Sequence, residues 1–233
     1  MLGCNSEEGP DCFKKQGKQV TKQIEVEQFN KINISEGIEL VVKQSAEQKV
    51  RVTAGENLIN DISFEVADGE LKIKDENGCG MFRDTSVAKV LVSTSVLEKI
   101  YSASQFYIYS DGILTFPGLI LETGNDEETA SSLFEMQIEN ESLTINDNVS
   151  SVFKISGSTE NFQVNFWGAN GRLEAEALTA NKINVFHRST NDMIVSPIEE
   201  ISGTIYSTGN LVLKNVPPVI EVEQLYSGHI VYP

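Results

Sequence analysis

The segments 164-VNFW-167, 183-INVF-186, 203-GTIY-206 and 222-VEQL-225 decide the fold. Aligned on one another they end in Trp167, Phe186, Tyr206 and Leu225, spaced by 19, 20 and 19 residues. A repeat near twenty residues marks a solenoid, in which each unit buries its apolar face against its neighbours. Val164, Ile183, Gly203 and Val222 fall in one column, and Phe166, Val185, Ile205 and Gln224 in the column two residues on. Alternation puts both columns on one side of their strands, so stacking would build two inner rows. Leu143 and Ile145 extend these rows upstream, and Thr144, Asn165, Asn184, Thr204 and Glu223 lie between them on the outside.

Each unit is followed by turn chemistry, as in 168-GANG-171, 189-STND-192, 207-STGN-210 and 227-SGH-229. A second short strand comes next: 172-RLEAEA-177, 193-MIV-195, 211-LVLK-214 and 230-IVY-232. Weaker copies stand at 97-LEKIYSASQFYIYS-110 and 119-LILET-123. Upstream, Ile32/Ile34, Ile38/Leu40/Val42, Ile62/Phe64/Val66 and Leu71/Ile73 keep a period of two, with breaks at Gly37, 54-AGEN-57, Asp68-Gly69 and Asn77-Gly78. Only 56-ENLINDI-62 offers a helical turn. The reading is an all-β chain forming a single-stranded parallel β-helix of about 20 residues per turn. A β-sandwich is the competing fold. Residues 1–22 are polar and read as a tether, and 23–233 as the β-helix.

The 233 residues carry 18 Lys and Arg against 34 Asp and Glu, for a formal charge of −16. Such a surface lacks the cationic field that nucleic acid requires. No apolar run approaches the ~20 residues of a membrane-spanning helix. Of the cysteines, Cys4 closes 1-MLGC-4, which looks like the end of a bacterial lipobox. Met1 then stands in place of a leader, and Cys4 is the lipidation site of the precursor. The acidic cluster in Asn5-Ser6-Glu7-Glu8 resembles a surface-export signal of Bacteroidetes-type lipoproteins. Cys12 and Cys79 remain, either as a disulfide or as two free thiols.

The stretches 29-FNKINISEGIELVVKQ-44, 50-VRVTAGENLINDISFEVADGELKIK-74, 87-VAKVLVSTSVLEKI-100 and 225-LYSGHIVY-232 together resemble the putative autotransporter-adhesin head GIN domain family. The segment 77-NGCGMFRD-84 is similar to a feature of its lipoprotein branch. The resemblance implies a right-handed β-helix, an envelope location at the outer membrane or cell surface (or facing the periplasm), and no catalytic residues.

Reactive constellations are few. His187 and His229 have no Cys, His or carboxylate at ligand spacing and read as turn residues. The group 125-NDEE-128 offers oxygens for Ca²⁺ without a Ca²⁺-loop spacing, and reads as a solvated loop. A polysaccharide-cleaving β-helix needs neighbouring carboxylates on adjacent coils. In this alignment Asp147 falls beside Gly168, His187 and Ser207, and Asp192 beside Leu173 and Val212, so no carboxylate column forms. The expectation is therefore a non-enzyme without cofactor or metal, reaching the membrane only through its lipid. The stripe Trp167, Phe186, Tyr206 and Leu225 faces away from the inner rows. It is the candidate surface for a glycan or a protein ligand, unless another segment packs over it. A carbohydrate-active enzyme and a structural spacer stand as the alternative functions.

Overall fold

Alternation of side chains builds the long strands of the C-terminal half. In β11 (Leu133–Asp147), β12 (Val152–Phe166) and β13 (Arg172–His187), buried and exposed residues alternate along each arm. The computed structural model describes residues 16–76, 87–124, 131–168 and 170–233. Each long strand is bent. In β12, residues 152–159 pair with 133–140 of β11, and residues 161–166 pair with 142–147, leaving Glu160 at the corner. One strand thus serves two sheets, and successive coils stack in parallel on both. The chain is an all-β solenoid of about six turns with about 21 residues per turn. Its helical content among the described residues is a 3-10 turn at Ile59–Asp61.

Sheet I runs through β6 (Glu70–Asp75), β2 (Lys31–Ile34), β8 (Lys99–Ser102), β10 (Gly118–Thr123) and the second arms of β11, β12, β13 and β14 (Met193–Ile205), ending at β16 (Val219–Gln224). Sheet II runs through β7 (Ala88–Thr94), β3 (Ile38–Gln44), β9 (Tyr107–Leu114) and the first arms of β11 to β14, ending at β15 (Leu211–Leu213) and β17 (Ile230–Val231).

The N-terminal end departs from the expected plain β-helix. The coil β2–β3 sits between the coils β6–β7 and β8–β9, so spatial order and chain order differ. Antiparallel strands then close this end. β5 (Ile62–Ala67) lies on β6, β4 (Lys49–Gly55) on β7, and β1 (Gln19–Ile24) on β4. The β5–β6 hairpin turns at Asp68 and Gly69, both at positive φ, as a two-residue hairpin demands. β1 starts inside the stretch read as tether. Cys4, Cys12, Cys79, the segment 77–84 and the acidic group 125–128 lie outside the described residues.

The core is columnar. One inner row runs Leu71, Ile32, Ile100, Leu121, Ile145, Val164, Val185, Gly203, Val222. Its members from Leu71 to Val185 are buried. The register corrects the sequence alignment at one unit: Val164 pairs with Val185, not Ile183, which belongs with Phe162 and Ile201. The cause is local. Between Lys154 and Ser156 of β12, β13 inserts one extra residue as a bulge, and the turn before Arg172 is one residue longer than the turn before Val152. The next coil is correspondingly short, and the average period hides both changes.

Candidate binding surface

The aromatic stripe lies where sheet I ends and the chain turns toward sheet II. The amides of Trp167, Tyr206 and Leu225 each donate to a carbonyl of the preceding coil, at Asp147, His187 and Ile205 respectively. Those three residues therefore share a column. Phe186 does not: it pairs with Asn165 and Thr204, two residues earlier, and Arg188 takes its expected place. The parity of the shift keeps Phe186 on the outside. Its ring closes the gap, 4.2 Å from the Trp167 ring centroid and 4.7 Å from that of Tyr206. Trp167, Tyr206 and Leu225 are 46, 41 and 53% exposed, so the stripe is open to solvent rather than covered by another described segment.

The outer side of sheet I beside the stripe is a field of amides and hydroxyls. Asn165 donates to Asn146 at 2.9 Å, Gln163 to Asn165 at 2.7 Å, and Asn184 to Ser202 at 2.9 Å. A depression of about 260 Å³ crosses these rows near Thr144, Gln163, Asn184 and Glu200. Its side chains largely satisfy one another, which lowers the gain available from a polar ligand.

The residues weighed for chemistry are separated by burial. Asp147 is wholly inside the solenoid, where its Oδ1 accepts from Thr123 Oγ1 at 2.6 Å and the Ser151 amide at 3.4 Å. Its Oδ2 has no hydrogen-bond partner among the described residues and faces Gly171, where an added Cβ would sit 2.3 Å away. Burial raises its pKa, and the hydrogen bonds from Thr123 and Ser151 offset this in part. His187 is also an interior residue, at the end of β13 rather than in a turn. Burial lowers its pKa, and its Nε2 lies 3.3 Å from the Asn210 carbonyl. His229 is exposed in a turn. Asp192 is exposed and accepts from the Asn210 amide at 2.9 Å; because Met193 pairs with Leu173, Asp192 aligns with Arg172 rather than with Leu173. Asp147 and Asp192 thus stand on opposite sides of the wall and cannot flank one substrate bond. Among the described residues no three His, Cys, Asp or Glu side chains come together as metal ligands.

A groove on the outer side of sheet II was not legible in the sequence. It holds about 560 Å³ and passes Tyr107 and Tyr109, Glu135, Lys154, Glu174 and Glu176. Glu135, Lys154 and Glu174 occupy one column on successive strands. This corrects the expectation that carboxylates share no column. The signal was the alternation in 107-YIYS-110 and 172-RLEAEA-177, but bulges in β9 and β13 set the alignment.

The model of the putative auto-transporter adhesin, head GIN domain, matches residues 28–217. The chain belongs to that family. The match stops before β16 and β17. Among solved structures, a putative adhesin from Bacteroides fragilis is 19% identical with a TM-score of 0.81, covering 93% of this chain and 97% of that one. A putative lipid binding protein from Parabacteroides distasonis is 17% identical with a TM-score of 0.63, covering 92 and 97%. A putative adhesin from Parabacteroides merdae is 16% identical with a TM-score of 0.59, covering 92 and 97%. At these identities the likeness is one of fold. Among curated proteins, none matches the chain. No helix of the described residues is long and apolar enough to cross a membrane.

Proposed function

We propose that this head GIN domain is a cell-envelope lipoprotein that acts as a non-catalytic binding module, engaging a protein partner through Trp167, Phe186, Tyr206 and Leu225. The observation that carries this reading is the exposure of a continuous aromatic stripe on a rigid scaffold. Exposed aromatic residues held by well-packed strands are the residue types that dominate protein interfaces. The way the rings stack favours protein over sugar. Phe186 lies between the other two rings, and the tilted contacts cover one side of Trp167 and of Tyr206, so the row presents a ridged surface with an indole N–H and a phenol O–H rather than the flat open platform that suits a sugar ring. The adhesin description of the family supports an outward-facing envelope position. The Leu-Gly-Cys sequence at Cys4, ahead of a polar stretch, supports lipid anchoring of the precursor. The separation of Asp147 from Asp192 supports the absence of catalysis.

The test immobilises the protein and a Trp167→Ala/Tyr206→Ala variant, and measures binding of fibronectin, laminin, collagen and mucin, alongside polysaccharide depolymerisation. Saturable binding to one of these proteins, weakened at least about tenfold in the double variant, is expected. Equal binding by both forms would remove the stripe from the reading. Depolymerisation lost on Glu135→Gln or Glu174→Gln would make the protein an enzyme. Absence of all binding would favour the spacer.

A further inference from the structure

We infer that the groove on sheet II is a second, separate binding site, and that its ligand is an oligosaccharide without acidic groups. The groove is a consequence of register. β11 and β12 pair without a break from Leu133/Val152 to Asn140/Thr159 and form a regular floor. On one side β9 bulges: Tyr109 pairs with Glu135, but the next pair is Ile113 with Gln137, so Ser110, Asp111 and Gly112 stand against Met136 alone. Gly112 takes φ +90, which this bulge requires. On the other side β13 bulges, with Ala175 and Glu176 opposite Ile155. Bulges re-aim side chains and lift the strand from the plane. Here two of them flank a regularly paired pair of strands, one on each side. From β9 to β13 the groove crosses three strand spacings, about 14 Å at ~4.8 Å each. Its volume of about 560 Å³ lies in the range of small-molecule sites, roughly 300–1,000 Å³.

The lining suits a polyhydroxylated chain. Tyr107 is 50% exposed and stacks on no other ring among the described residues, unlike the rings of the stripe. It can meet the C–H face of a sugar ring. Along the floor, Glu135 accepts, Lys154 donates and Gln137 does both, a mixture that matches hydroxyl groups, which also do both. Charge narrows the class. Glu39 is paired with Lys89 at 2.9 Å, and Glu174 with Arg172 at 2.7 Å and Lys154 at 3.7 Å. Glu135 and Glu176 stand in no ion pair among the described residues, within a chain of net charge −16. A uronate or sialylated chain would meet repulsion there. Lys154 interrupts the column between Glu135 and Glu174, so no continuous anionic track for a cationic chain runs along it, and hexalysine tests that alternative directly. A neutral chain uses the same ammonium as a donor.

The site does not depend on the stripe, and the two fail separately. Titration calorimetry would use cellohexaose, maltohexaose and the hexamer of N-acetylglucosamine, with hexagalacturonate as the acidic arm and hexalysine as the cationic arm. At least one neutral hexaose is expected to bind. Tyr107→Ala and Gln137→Ala, both surface substitutions, should each weaken it at least about tenfold, and Trp167→Ala should leave it unchanged. Hexagalacturonate should bind at least about tenfold more weakly. The inference is overturned if no neutral hexaose binds, if hexalysine is the sole ligand, or if binding survives Tyr107→Ala. Loss of sugar binding on Trp167→Ala instead would move the glycan to the stripe and overturn it as well.

Discussion

The two ends of the solenoid are built on different rules. From β10 onward each strand pairs with the strand one coil earlier, on both sheets and in chain order. At the N-terminal end a coil is inserted out of order, and β1, β4 and β5 run antiparallel to what they cover. A stack of parallel coils leaves open sheet edges at both ends, and open edges invite pairing with other chains. The antiparallel strands close one of them. β1, the outer strand on sheet II, presents Thr21, Lys22 and Gln23 to solvent, the sort of residues that blunt an edge. The difference teaches that the coils supply the core and the antiparallel strands terminate it.

Substitution in the middle of the stack should therefore cost far more than substitution at the cap. Phe153 is fully buried, stacked on Phe134 at 4.8 Å and 5.9 Å from Phe166. Phe153→Ala is expected to destabilise by about 3–5 kcal/mol. Val20 of β1 is only half-buried, and Val20→Ala should cost under about 1 kcal/mol. Urea unfolding measures both. In native-state hydrogen exchange the β1 amides should exchange well before those of β12. Equal protection of the β1 and β12 amides would mean that cap and coils unfold as one unit.

Two glycines test how tightly the coils are stacked. Gly157 and Gly203 hold φ of +109 and +124, and a Cβ at either would lie 2.0 Å from a carbonyl oxygen of the preceding coil, at Ile138 and Val185. Gly157→Ala and Gly203→Ala should each cost about 1–3 kcal/mol, read from the shift in urea midpoint. A neutral effect would show that the coils can part locally.

Gly203 also shows where the sequence could be read and where it could not. Its column was right at Val222 and wrong at Ile183, because a bulge and a longer turn add two residues to one coil and the next coil loses them. Periodicity reports the average coil, so it revealed the solenoid, the inner rows and the outward stripe. It is silent on compensating errors of register. The inserted coil β2–β3 has no periodic signature, since its partners are set by long-range pairing. The groove was hidden for the same reason: Tyr109, Glu135, Lys154 and Glu174 become neighbours only once the bulges are placed. The stripe survived a misplaced Phe186 because a two-residue slip preserves the face.

The smallest effect concerns two buried titrating groups in the coils, for which the described cap has no counterpart among the groups with shifted pKa. Asp147 has its folded pKa raised above the ordinary 3.8 by burial. The folded protein then holds a proton that the unfolded chain has released. The stability contributed by the neutral carboxyl is complete below pH 3.8 and is lost as pH rises through the folded value. His187 has its folded pKa lowered below 6.5 by burial. The stability contributed by the neutral ring is complete above pH 6.5 and is lost as pH falls through the folded value. The two contributions run in opposite directions with pH, and single variants should expose each arm. Asp147→Asn keeps an acceptor for Thr123 while removing the charge, and its urea midpoint should gain on the wild type as pH rises above 3.8. His187→Gln keeps a donor for the Asn210 carbonyl, and should gain on the wild type as pH falls below 6.5. Profiles of both variants parallel to the wild type from pH 3.5 to 8 would show that neither group changes its protonation on folding.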